Sequence, residues 1–431
     1  MIGISRRGAI ATFGSVMARA ALVPRLRLEA LGLPIEGGQP EDEAFWSAVR
    51  GAFDVPEGIT NLDNGAYGPP PRVVMDDLIR YTRDLEALPT TRLDDLFRGT
   101  TRKVVIPRMA SLLGAAADEV AIVRNATEAL DTVLLGCPLR RGDEIVCSAH
   151  DFWAMLDALE QRRAREGVVL RVVHPPVPAK SLDDLARLYE AAITPQTKLV
   201  LVTHASNITG QLYPVRRIAA AAHKVGAEVV VDGAQTLALL PFTVADLDCD
   251  YFGASLHKWL LAPIASGVLW MRRPLAEKVW PLVPAPADVN GMGRFMSGGT
   301  YPEPIAGAAA AALDFHERLG GKRKADRLRY LTQYWRRKIE ALPNIHFYTS
   351  TEPDASCGLA VFEIAGVNSE KLANYLFEKH RIAVRAMRQT GRAPEINGVR
   401  VTANVYTSLA ELDRFVAGIE DVVRRGLLAW A

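Results

Sequence analysis

EVAIVRNATEALDTVLLG, residues 119–136, joins a short apolar run that suits a strand to an apolar-periodic stretch that suits a helix. The unit then repeats. DEIVCSA (143–149) reads as a strand and FWAMLDALEQRRAREG (152–167) as a helix. VVLRVVH (168–174), TKLVLVTHA (197–205) and AEVVVDGAQ (227–235) read as strands, separated by the helical SLDDLARLYEAA (181–192) and VRRIAAAAHKVG (215–226). Alternation at this spacing implies an α/β unit built on a largely parallel sheet. In such a sheet, ligand-binding groups gather in the loops that follow the strand C-terminal ends.

Outward from this core, residues 41–53 look helical, and GITNLDNGAYGPPPRVV (58–74) is turn-rich ahead of a helix beginning near Pro71. A long helical tract runs from about Ile305 to Leu342, with Gly320-Gly321 as a possible kink. IHFYTS, GLAVFEIAG, IAVRAM and GVRVTANV then read as strands, and SEKLANYLFEKH and LAELDRFVAGIEDVVRRG as amphipathic helices, which gives a smaller α+β domain.

The chain has 431 residues, enough for two or three compact units; 49% are hydrophobic and 23% charged, as in globular rather than disordered chains. A net charge of only +2 provides no global field for nucleic acid, and the basic runs fall in helix-like stretches where solvated faces are expected. The four cysteines, Cys137, Cys147, Cys249 and Cys357, form no CxxC pair, and the eight histidines show no metal-binding pattern. At the N-terminus, Ser5-Arg6-Arg7 before an apolar stretch resembles a twin-arginine export signal. The expectation is an exported, periplasmic protein, with a cytoplasmic one as the alternative that cell fractionation would reveal. No apolar run approaches the roughly 18 residues of a membrane span.

Lys258 stands in YFGASLHKWLLAPIASGVLW (251–270), with no other charge after it until Arg272. A buried ammonium is costly unless something neutralises or uses it. Asp232, at the end of AEVVVDGAQ, can either cap its turn or converge with Lys258 on one pocket. A pyridoxal phosphate enzyme needs that pair: a lysine for the Schiff base and an acid that keeps the pyridine nitrogen protonated. Thr127, in VRNATEALDTVL, lies where a helix N-terminus favours a phosphate, although an ordinary N-cap is the alternative. Ser255 and His257 can add donors.

NLDNGAYGPPP, VRNATEAL, THASNITGQLYPV, VVVDGAQ, DYFGASLHKWLLAPIASGVLW and VRVTANVYTSLAELD resemble, in order and spacing, the class V aminotransferase-fold enzymes, most of all their isopenicillin N epimerase-like branch. The resemblance covers about residue 41 to the end. It implies pyridoxal phosphate fold-type I architecture: a large domain with a mostly parallel seven-stranded sheet flanked by helices, a smaller α+β C-terminal domain, and active sites at a homodimer interface. The expected organisation is an export signal over 1–34, an N-terminal arm over 35–70, the cofactor domain over 71–303, a connecting helix over 304–342 and the small domain over 343–431.

By the same resemblance, Lys258 would carry the cofactor and shuttle the α-proton, Asp232 would pair with the pyridinium nitrogen, and Gln235 and Asn207 would lie at the phenolic oxygen. Thr127, Glu128 through its backbone, Ser255 and His257 would hold the phosphate, with Thr300 reaching it from a partner subunit. Phe152 would stack on the ring, with His150 the second choice; His204 is a weaker candidate for the site. Arg400 would clamp the substrate carboxylate, ahead of Arg385, Arg388 and Arg392.

The sequence departs from the cysteine desulfurases of this fold, because VRAMRQTGRAP holds no nucleophilic cysteine. Asp151 and Trp153 beside Phe152 are also less usual. The expected protein is therefore a pyridoxal-phosphate enzyme acting at the α-carbon of an amino-acid-like substrate, aminotransferase-like first, with epimerase or lyase chemistry as alternatives. A non-catalytic binding protein on the same fold is the rival from another class.

Overall fold

A computed structural model describes residues 37–388 and 393–425. The export-type segment and Arg392 lie outside the described residues. The strands are β1 (Thr60–Asn61), β2 (Val120–Val123), β3 (Glu144–Ser148), β4 (Val169–Val173), β5 (Thr197–Thr203), β6 (Glu228–Asp232), β7 (Tyr251–Ser255), β8 (Gly267–Met271), β9 (Ile345–Phe347), β10 (Ala360–Ile364), β11 (Ile382–Ala383), β12 (Arg385–Arg388) and β13 (Asn397–Val401).

Seven of them form one sheet in the order β2-β8-β7-β6-β5-β3-β4. Only β8 runs against its neighbours, pairing antiparallel with both β2 and β7. The central strands are apolar throughout because both faces are covered. Val200, Val202, Val229 and Val231 enter the core on one face, and Leu199, Leu201 and Val230 enter the core on the other. The order reverses between β3 and β5, so the crevice beyond their C-terminal ends is where a doubly wound sheet binds its ligand.

The seventh strand, β8, was hidden in the sequence inside an apolar, small-residue segment. Its first residue explains part of that composition. A Cβ on Gly267 would come within 2.6–2.7 Å of the backbone of Asn125, so only glycine lets β8 pass beneath the turn that opens the helix Ala126–Gly136.

The helical tract expected over 304–342 is two helices, Glu303–Leu319 and Gly321–Ile339. Gly320 separates them at φ 85°, a left-handed value that breaks the ladder rather than bending it. The small antiparallel sheet, β12-β13-β10-β9, packs with the second helix around Trp335 and Phe362. Residues of the N-terminal arm join that same core: Phe45, Trp46 and Val49 of the helix Glu43–Arg50, and Leu62. β1 pairs in parallel with β11, and Asp63 bridges to Thr402.

Gly267→Ala should lower the unfolding free energy by about 1–3 kcal/mol, the usual cost of forcing a methyl into a filled contact. Urea denaturation of the two proteins measures it; an unchanged midpoint would contradict the close approach.

Candidate active site

A cavity of about 630 Å³ opens at the C-terminal ends of the large sheet's strands. Thr203, Asp232 and Ser255 line it from the ends of β5, β6 and β7, and the small sheet supplies Arg385 and Arg400. Parallel pairing of β6 with β7 sets Asp232 beside Gly253, so the acid and the turn that carries Lys258 issue side by side.

That turn is held from several directions. Gly68 N donates to His257 O at 2.9 Å, and a Cβ on Gly68 would lie 2.2 Å from Lys258 O. The Trp259 indole donates to Gln235 Oε1 at 3.0 Å, and the buried Lys324 amine donates to Trp259 O. An indole N–H can only donate, so this contact fixes the Gln235 amide and aims its Nε2 at Gly65 O, 2.9 Å away. Lys258 itself faces the cavity with its pKa pulled down to about 8, first by burial and then by Arg400, against the attraction of Asp232.

Asp232 is buried and accepts from Ala234 N at 2.9 Å. Burial pushes its pKa up, while the backbone donor and Lys258 oppose the rise. A second carboxyl, Asp151, is buried close by and accepts from Ser148 N at 2.7 Å and Thr203 N at 3.3 Å. Burial pushes it to about 8, with the charge of Asp232 adding to the rise.

At the opposite end, Asn125 caps the helix Ala126–Gly136, and Ala126 N donates to Ser255 Oγ at 2.9 Å. Since Ser255 accepts that bond, its own hydroxyl proton remains available to a ligand. His257 Nδ1 pairs with Ser266 O at 3.1 Å, its ring lies 5.5 Å from Tyr67 at a 30° tilt, and burial and Lys258 hold its pKa down to about 4. It is therefore neutral at pH 7.

The carboxylate of Asp63 joins the two arginines. Arg400 donates to Asp63 Oδ1 at 2.9 Å and to Asn207 O at 2.9 Å, and Arg385 donates to Asp63 Oδ2 at 2.9 Å. Two guanidiniums share one carboxylate, so the pair keeps a net positive charge toward the cavity.

Thr127, Phe152, Asn207, Asp232, Gln235, Ser255, His257, Lys258 and Arg400 thus come together around one space. Glu128 and Thr300 do not. The Glu128 N–H is taken by Asn125 Oδ1 at 2.8 Å, because the cap claims that donor, and its carboxylate pairs with Arg124 at 3.0 Å. Thr300 lines a separate cavity together with Arg124 and Glu128. His150 lies outside the lining, paired with Glu395 at 3.1 Å, and Phe152 takes the lining position. His204 is half-buried with its ring edge-on to Phe242, also outside the lining, and Arg388 is exposed away from it. The sequence reading gave no role to Asp63 or Tyr67, although both lie in the quoted NLDNGAYG; a partner 337 residues away leaves no local pattern.

A lysine amine between a buried acid and an anion-favouring helix start, with an aromatic ring alongside, fits pyridoxal phosphate in size and in donor chemistry. These features define a pyridoxal-phosphate-dependent enzyme. The chain belongs to the aminotransferase class-V family, whose model matches residues 60–415. It is 27% identical to an isopenicillin N epimerase of Streptomyces clavuligerus over 88% of this chain and 98% of that protein. It is 28% identical to a cysteine desulfurase of Pectobacterium atrosepticum over 91% of this chain and 99% of that one. Among solved structures, a C-DES variant with glycine covalently linked to its pyridoxal phosphate superposes with a TM-score of 0.77 at 21% identity, covering 86% of this chain and 99% of that chain. The fold is therefore the fold-type I fold expected from the sequence.

In the cofactor-free protein, the rate of reductive methylation at Lys258, followed by mass spectrometry, should rise with pH around a midpoint near 8. A midpoint near 10.5, the ordinary lysine value, would mean that burial does not act on this amine.

Proposed function

We propose that the protein is aminotransferase-like, acting at the α-carbon of an amino acid whose carboxylate is held by Arg400. The observation that carries this reading is the placement of Lys258 and of the Arg400–Arg385 pair on one cavity: an amine and a carboxylate docked there present the α-carbon to Lys258. When bound, pyridoxal phosphate supplies an electron sink for negative charge at that carbon. Lys258 takes the α-proton on Nζ and returns it, its lowered pKa keeping part of the amine neutral near pH 7. Asp232 would hold a proton at the ring nitrogen. Phe152 would cover the ring, and Asn207 and Gln235 would serve its phenolic oxygen. Thr127, Ser255 and His257 would receive the phosphate at the helix start.

Epimerisation is the second reading, favoured by the likeness to isopenicillin N epimerases. Persulfide-forming desulfuration has less support, since all four cysteines are buried and none lines the cavity. Burial also pushes the Cys137 and Cys357 thiols up to about 12, away from nucleophilic thiolate.

The absorbance spectrum of the cofactor-loaded protein, recorded with a panel of amino acids, tests the proposal. Conversion of the cofactor to its amine form by some of them is expected, as is its loss in Lys258→Ala. Arg400→Lys should raise the concentration of amino acid needed at least about tenfold, because an ammonium cannot reproduce the guanidinium fork. A spectrum inert to every amino acid, or undiminished turnover in Lys258→Ala, would refute it.

The second cavity, which holds Thr300, supports a homodimer in which the Gly299–Thr300 segment reaches the partner's phosphate site. Leu282 and Val283 line that cavity and are exposed, and the neighbouring Trp280 is 72% exposed. A surface of this kind is suited to burial against a second copy. Sedimentation velocity should show a dimer that Trp280→Asp weakens; a monomer at micromolar concentration would overturn this assignment.

A further inference from the structure

We infer a second ligand site, for a small oxyanion, on the far side of the loop that supports Arg400. A cavity of about 260 Å³ lies between the helix Gly321–Ile339 and residues 349–357. Arg329, Arg336 and Arg337 line it from the helix, and Glu340 is the one carboxylate in its lining. Residues seven and eight positions apart share a helix face, so the three guanidiniums converge.

Among the described residues none of the three is in an ion pair, unlike many of the protein's arginines. Arg108, Arg217, Arg272 and Arg400 all pair with carboxylates. Arg336 donates instead to two backbone carbonyls, Ser350 O at 3.0 Å and Thr349 O at 2.8 Å, and its buried Nε has no acceptor. Arg329 has no hydrogen bond or ion pair among the described residues, and its Nε is buried without an acceptor. Glu340 is the one counter-charge near these three guanidiniums, and the Phe347 ring, 4.2 Å from the Arg336 guanidinium, adds only a cation–π contact. The excess of half-buried positive charge is unfavourable, and a bound anion relieves it. The guanidinium fork matches phosphate and carboxylate oxygens, and the Ser350 and Thr351 hydroxyls on the opposite wall add neutral donors. The ligand is therefore a small phosphate or polycarboxylate.

The wall facing the helix is tied to the active-site loop. Thr349 donates to Thr209 O, Leu212 N donates to Ala355 O at 3.0 Å, and Cys357 Sγ lies 3.7 Å from Gly210 O. Asn207, in the same loop, holds Arg400 through its carbonyl. An anion that fixes this wall also fixes the support of the substrate arginine.

Titration calorimetry of the cofactor-loaded protein, whose own phosphate site is filled, tests the inference. Inorganic phosphate and citrate are titrated separately at constant ionic strength. Saturable binding of at least one of them is expected, weakened tenfold or more in Arg329→Gln with no change in melting temperature, because Arg329 supports no other group. Arg336→Gln should weaken binding similarly and also lower the melting temperature, since it frees two carbonyls. Which of the two anions binds assigns the ligand to the phosphate or the polycarboxylate class. Absence of saturable binding by both, or undiminished binding in Arg329→Gln, would overturn the site.

Discussion

The carboxylate of Asp63, held between Arg385 and Arg400, is the contact on which the cavity depends. It lies on a strap, residues 60–68, that touches the small sheet, Gln235 and the Lys258 turn. β1 of the strap pairs with β11, Gly65 O receives the Gln235 amide, and Gly68 closes against the Lys258 turn. Without the shared carboxylate, two guanidiniums would face each other in a low-dielectric pocket, an arrangement that costs free energy however well the sheet beneath is packed. With it, the small sheet, the arm and the large sheet's loops form one wall.

Charge is apportioned in the same manner deeper in the site. Asp151 and Asp232 are buried near each other, and like charges in one dry region cannot both persist. Asp232 has the lysine beside it; Asp151 has only backbone donors, and burial holds it protonated until about pH 8. One carboxyl thus stands beside the amine of the site, and the other, with no cation beside it, is a neutral neighbour. The amine of Lys258, between Asp232 and Arg400, is drawn in both directions.

Much of this was legible in the chain itself. Strands buried on both faces are written as runs of valine and leucine, and the intervening amphipathic helices carry period and caps, so the α/β architecture followed from residues 119–235. Asp232, Lys258 and the helix start at Asn125 could be placed because each stands at, or within three residues beyond, a strand's C-terminal end. Some of what escaped had no local signature. β8 was obscured because its first residue must be glycine to pass Asn125. The pairing of Asp63 with arginines more than 300 positions away is a tertiary fact, whereas the cap that takes the Glu128 N–H is local, coming from Asn125 three positions before it.

The strap has a further consequence for how the protein is made. Residues 60–68 leave the ribosome more than 300 residues before Ile382, Arg385, Arg400 and Thr402, their partners. Contacts of such sequence separation are slow to form, and none can form before the small sheet's residues have emerged. The seven-stranded sheet can assemble during translation, but the wall that closes its crevice cannot. Completion of the cavity is thereby tied to synthesis through β13, and a chain truncated before β13 would carry the lysine without a finished pocket to use it.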